Sequence, residues 1–141
     1  MKTLRFITSV IIAALALSAS ADVTWLETTH DFGAFQEDLG PVSCQFRFVN
    51  TNPEPVAIVA ARASCGCTTP QYPREAIAPG DTAVITVSYD PAARPGRFTK
   101  YIGVPLSDSE PMIKLYIKGS VVGSAQSVAQ RFPAQCSPAL Q

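Results

Sequence analysis

From residue 23 onward the chain reads in steps of two. Val42, Cys44, Phe46 and Phe48 alternate with Ser43, Gln45 and Arg47, the pattern of a strand with one buried face. Ile85, Val87 and Tyr89 share one face of a later segment. Ile102, Val104 and Leu106 do so within Phe98 to Leu106, and Ile113, Leu115 and Ile117 lie opposite Lys114, Tyr116 and Lys118. Val23 to Leu26 is expected as a short first strand anchored by Trp25, and Gly119 to Val122 as an extension of the last. Val56 to Ala63 is apolar almost throughout and is expected as a central strand or one buried on both sides. Turns are expected at Asn52-Pro53-Glu54-Pro55, at Ile77 to Asp81 and at Pro91 to Gly96, where Pro and Gly break the ladder. Pro105 has no N–H to donate, so its end of the strand is expected free, bulged or at an edge.

No long 3.6-residue period follows the first 22 residues. Short strands between regular turn signals predict an all-β fold, an antiparallel immunoglobulin-like β-sandwich of about seven strands over residues 22–123. A small β-barrel is the runner-up. Residues 124–141 are polar, rich in Ala, Gln and Ser, and aperiodic, and read as a flexible tail carrying Cys136.

The N-terminus has a different order. Lys2 and Arg5 precede an apolar run from Phe6 to Leu17, and Ala19-Ser20-Ala21 is a small-x-small cleavage site before Asp22. This is the order of a secretory signal peptide, residues 1–21, cut between Ala21 and Asp22; cleavage after Ala19 is the variant. The run from Phe6 to Ala21 is shorter than the roughly 20 residues a spanning helix needs, so no stable membrane insertion of the mature chain is expected. A lipoprotein would carry Cys at the cleavage point, and the first cysteine is Cys44. The expected setting is periplasmic or extracellular.

The roughly 120 residues that remain are one domain's worth, enough to bury about two-thirds of the unfolded surface. Acids and bases number 11 each in the whole chain, and the signal removes two bases, leaving a slight acidic excess. No basic cluster stands out along the sequence, so no nucleic-acid partner is expected. No Gly-rich phosphate loop, paired-carboxylate or metalloprotease motif is present, and no catalytic residue or cofactor is assigned. His30, the single histidine, reads as a surface or turn residue beside Asp31, and Ser64 and Thr68 as turn residues rather than nucleophiles. Tyr72, Tyr101 and Tyr116 are candidates for an exposed aromatic patch.

Five pieces occur in a fixed order: His30-Asp31-Phe32-Gly33, Phe46-Arg47-Phe48-Val49-Asn50, Ser64-Cys65-Gly66-Cys67-Thr68, Ile77-Ala78-Pro79-Gly80, and Gly96-Arg97-Phe98 with Lys100. The series resembles the bacterial domain-of-unknown-function family 1573, common in exported proteins of Bacteroidetes-type bacteria. That family is itself similar to immunoglobulin-like domains of the abnormal-spindle and hydin type. The resemblance covers about residues 22–122. It implies a fold and an exported life and brings no established activity. Cys44 stands where the family has an ordinary apolar residue.

Four cysteines, Cys44, Cys65, Cys67 and Cys136, in an exported chain suggest disulfides. If the strand of Cys44 and the Val56 to Ala63 strand are antiparallel neighbours, Cys44 meets Cys65 or Cys67 at one end of the sandwich. A bridge there meets the roughly 5.5–6 Å Cα spacing disulfides favour. The remaining cysteine would pair with Cys136 or stay free. The second option is a Cys65–Cys67 bridge, with Gly66 relaxing the backbone into a tight turn. The third is chelation of a soft ion such as copper or zinc by Cys65 and Cys67.

These readings combine into one expectation: an exported, non-catalytic module of the bacterial envelope that binds a protein partner through a loop end or a strand edge. The alternative is a thiol-redox or soft-metal protein acting through Cys65 and Cys67.

Overall fold

The computed structural model describes residues 23–107 and 112–124. The expected signal segment with Ala21 and Asp22, and the tail with Cys136, lie outside them. The strands are β1 (Val23–Trp25), β2 (Thr29–Gln36), β3 (Val42–Asn50), β4 (Arg62–Ala63), β5 (Thr68–Gln71), β6 (Thr82–Tyr89), β7 (Gly96–Val104) and β8 (Ile113–Val122), with one 3-10 turn at Glu37–Leu39. They form two four-stranded sheets, ordered β1-β3-β6-β5 and β2-β8-β7-β4. The architecture is an immunoglobulin-like β-sandwich. No helix among the described residues is long and apolar enough to cross a membrane.

The alternating residues supply the core. Phe46, Phe48, Ile85 and Val87 from one sheet meet Ile102, Val104, Leu115 and Ile117 from the other, all at 0% exposure. Each such side chain, fully withdrawn from water, stabilises the fold by about 1.5–3 kcal/mol. Asn50 is the polar exception, also wholly buried. Its Nδ2 donates to the carbonyls of Glu54 (3.0 Å) and Ile77 (2.8 Å), and its Oδ1 accepts from the Asn52 N–H (3.0 Å). It ties the Pro-rich turn after β3 to the turn before β6.

Three features differ from the expectation. Val56 to Ala63 is not one strand: Val56 bridges Ile77, Ile58 bridges Leu106, and only Arg62–Ala63 joins a sheet. The segment changes partner every few residues as it crosses the molecule, and Val59 is 62% exposed, so the stretch is not buried on both sides. Second, β2 pairs parallel with β8, with a register shift between Asp31 and Ala34. That bulge sets Phe32 and Phe35 three apart while both pack on the core, which breaks the period of two and hid the strand. Third, β5 holds Pro70 opposite Val87. Proline is tolerated there because β5 is an edge strand and needs no second ladder.

Candidate functional site at the cysteine end of the sandwich

Ser64 to Cys67 carries the chain from one sheet to the other. On one side Ser64 N–H donates to the Tyr101 carbonyl of β7 (2.9 Å), and Ser64 Oγ accepts from the Tyr101 N–H (3.1 Å). On the other side the Cys67 carbonyl accepts from the Asp90 N–H just past β6 (2.9 Å). Between these anchors Cys65 and Cys67 are joined as a disulfide, their Cα atoms 5.3 Å apart. An extended strand would hold them about 6.7 Å apart. The turn that brings Thr68 N–H to the Cys65 carbonyl (3.4 Å) closes the difference. Gly66 is not what permits this. Its φ is not positive, and a Cβ added there would meet nothing within 4 Å.

The bridge expected from Cys44 is absent: Cys44 is a free, buried thiol. The reason is topological. β6 lies between β3 and β5, with Val42 and Thr68 both in register with Tyr89. The strand of Cys44 is thus two ladder spacings from the chain that follows Cys67, about 10 Å, beyond the roughly 7 Å a disulfide can span. Burial, and to a smaller degree the Glu27 carboxylate, push the Cys44 thiol up to about 11. It behaves as a small apolar core residue.

The disulfide borders an open cleft of about 480 Å³. Tyr89 and Phe98 contribute stacked rings, their centroids 4.0 Å apart, joining the two sheets. Arg94, Arg97 and Lys100 also line it. Arg94 folds back on its own turn, donating to the Ala92 carbonyl (2.7 Å). Arg97 and Lys100 have no acidic partner among the described residues. Thr68 Oγ1 lies 3.4 Å from Cys65 Sγ and 3.8 Å from Cys67 Sγ. Bridged sulfurs carry no proton, so the hydroxyl is the donor. Cys65 is half-buried at the cleft wall, while Cys67 is only 7% exposed.

The positive charge extends along the sheet. β4, β7 and β8 contain Arg62, Arg97, Lys100, Lys114 and Lys118 and no acid. Arg62 and Lys114 flank Gly103 in register, Tyr101 pairs with Tyr116, and Thr99 pairs with Lys118. The two tyrosines are 41% and 38% exposed with centroids 6.3 Å apart, and the Lys114 ammonium lies 5.4 Å from the Tyr101 centroid. Of these cations Lys118 is ion-paired, to Asp31 at 3.6 Å. The opposite sheet carries Arg47 as its one charged residue. Tyr72 stands apart from this patch, after β5, with the Arg74 guanidinium over its ring at 4.4 Å.

This surface is hidden in the sequence, because the whole chain is neutral and the cations are segregated only in the fold. The one signal was Arg94, Arg97 and Lys100 within a seven-residue stretch free of acids. His30 lies in β2 rather than in a turn, 3.8 Å from Glu27 and edge-on to Phe32. In register it aligns with Ile117 and then Lys100, so β8 separates it from the strand bordering the cleft. The fold does not draw His30 to Cys65 or Cys67. Among the described residues no group of three or more His, Cys, Asp or Glu side chains could hold a metal ion.

Comparison with known proteins agrees with this architecture. The chain is similar to a protein of unknown function from Porphyromonas gingivalis W83, at 19% identity and TM-score 0.61, over 74% of this chain and 50% of that one. It is similar to the VesB protease of Vibrio cholerae, at 13% identity and TM-score 0.56, over 73% of this chain and 32% of that one. It is also similar to an ASH / PapD-like domain of human CEP192, at 7% identity and TM-score 0.58, over 86% of this chain and 99% of that one. The chain spans half or less of the two bacterial proteins, and at such identities the likeness shows the fold alone. No curated protein matches. The model of a family of proteins of unknown function, DUF1573, matches residues 23–121, the whole of both sheets save one terminal residue, and the chain belongs to that family.

Proposed function

We propose that this protein is an exported immunoglobulin-like module of the bacterial envelope that binds an acidic protein segment. The binding surface is the positive face of β4, β7 and β8 together with the cleft beside Cys65 and Cys67. The observation that carries this reading is the segregation of charge: β4, β7 and β8 hold no acid, and Arg62, Arg97, Lys114 and Lys118 share the side that carries the exposed tyrosine pair, while Lys100 lines the cleft. Charge complementarity steers association, and Tyr and Arg are the side chains enriched at protein interfaces. The sheet edges favour a face over strand addition. β1 and β4 span three and two residues, β5 carries Pro70, and β2 is bulged, all devices that blunt an edge.

Export is supported by the N-terminal segment and by a disulfide that an oxidising compartment maintains. The test has two readouts. Protein recovered from the envelope fraction has Asp22 as its first residue; a chain retained in the cytoplasm with residues 1–21 sinks the export reading. A fluorescent Glu-rich peptide binds the purified domain with affinity that falls as salt rises, and Arg97→Glu with Lys100→Glu abolishes it. Binding indifferent to both salt and charge reversal overturns the surface assignment.

A further inference from the structure

We infer that the Cys65–Cys67 disulfide is an exchange centre rather than a staple, taking thiols of exported proteins as its substrates. Exchange at this bridge needs no partner on the charged face and is independent of it. The bridge closes a loop with sequence separation 2, so it removes far less freedom from the unfolded chain than a long-range bridge would. The residues around it are those that stabilise a thiolate. The Thr68 hydroxyl lies within reach of both sulfurs and can donate to either one, and Arg97 and Lys100 line the cleft the disulfide borders. Cations and hydrogen-bond donors beside a sulfur favour the thiolate and with it the reduced form of the pair.

Exposure assigns the order of events. Cys65 is the more exposed residue of the pair and Cys67 is nearly covered. An incoming thiolate attacks Cys65 Sγ, the Cys65–Cys67 bond breaks, and Cys67 leaves with the electron pair, held by the Thr68 hydroxyl until it takes a proton. A second thiol of the same partner then attacks the sulfur bound to Cys65 and releases it. Two electrons and two protons pass from the dithiol to the pair, and the partner leaves as a disulfide. In reverse, reduced Cys65 attacks a partner disulfide and Cys67 resolves it. Cys44 takes no part, since it is buried and held protonated.

The test uses the full mature chain with Cys136→Ser, equilibrated in reduced and oxidised glutathione, acid-trapped, alkylated and peptide-mapped. The expected result is reversible reduction of Cys65 and Cys67 by glutathione without denaturant. Thr68→Val and the exposed pair Arg97→Gln with Lys100→Gln are each expected to move the equilibrium about tenfold toward the disulfide, one pH-unit equivalent of lost thiolate stabilisation. Thr68→Ser, which keeps the hydroxyl, is expected to restore it. A pair that stays oxidised in excess glutathione, or variants that leave the equilibrium unmoved, would overturn the assignment. Loss of peptide binding with exchange intact touches only the surface reading above.

Discussion

Tyr89 of β6 and Phe98 of β7 stack with ring planes within 10° of parallel, one from each sheet, beside the Cys65–Cys67 loop. The pair ties the two sheets together where the cleft opens. Phe98→Ala is expected to cost about 3–5 kcal/mol in denaturant unfolding. Gly119 lies opposite Phe98 in register, and a Cβ there would sit 3.0 Å from both the Phe98 ring and the Gly33 carbonyl oxygen. Gly119→Ala is expected to cost about 1–3 kcal/mol by overpacking. A neutral result would show that the ring can move aside.

Asn50 ties the turn after β3 to the turn before β6. Truncation to Ala removes two donated bonds and one accepted one at a position with no access to water. Each buried group left unpaired costs about 1–3 kcal/mol, so Asn50→Ala is expected to lose about 3–5 kcal/mol. Thermal and urea unfolding measure it, and a loss below that of a typical surface substitution would contradict the role.

The cysteine pair is expected to matter little for stability. Cys65→Ser with Cys67→Ser should lower unfolding free energy by about 1–2 kcal/mol, the chain-entropy value for so short a loop. Gly66→Ala is expected to keep both the fold and the bridge, because the position demands neither positive φ nor empty space. Non-reducing mass mapping of that variant checks it.

Cys44 gives a pH signature. The folded protein holds its proton to about pH 11, while the unfolded thiol loses it near the ordinary 9.0. Between these values the folded state binds more protons, so this thiol makes stability fall as pH rises. Cys44→Ala is expected to flatten the stability profile over that interval and to leave its slope unchanged below pH 9.0. Alkylation of Cys44 in the folded protein at neutral pH would contradict its burial.

Arg97 and Lys100 are expected to be dispensable for folding. Both stand at the cleft without an acidic partner among the described residues, so neutralising them removes no native ion pair. Arg97→Gln with Lys100→Gln should change unfolding free energy by less than about 0.5 kcal/mol. A larger loss would mean that these side chains serve the scaffold rather than the surface.

Alternation of apolar and polar residues determined the sheet class and much of the core: Cys44, Phe46 and Phe48 in β3, Ile85, Val87 and Tyr89 in β6, Leu115 and Ile117 in β8. A half-buried strand must repeat every second residue, so that information is local. The bulged strand β2 escaped the same reading because an extra residue breaks the repeat. Which cysteines meet was not local. It depended on β6 pairing with both β3 and β5 and so standing between Cys44 and the Cys65–Cys67 loop. The positive face was equally a product of assembly, since Arg62, Arg97 and Lys118 are far apart along the chain. They converge only because β4, β7 and β8 hydrogen-bond side by side. Strand order is set by packing over the whole sandwich, and no window of sequence contains it.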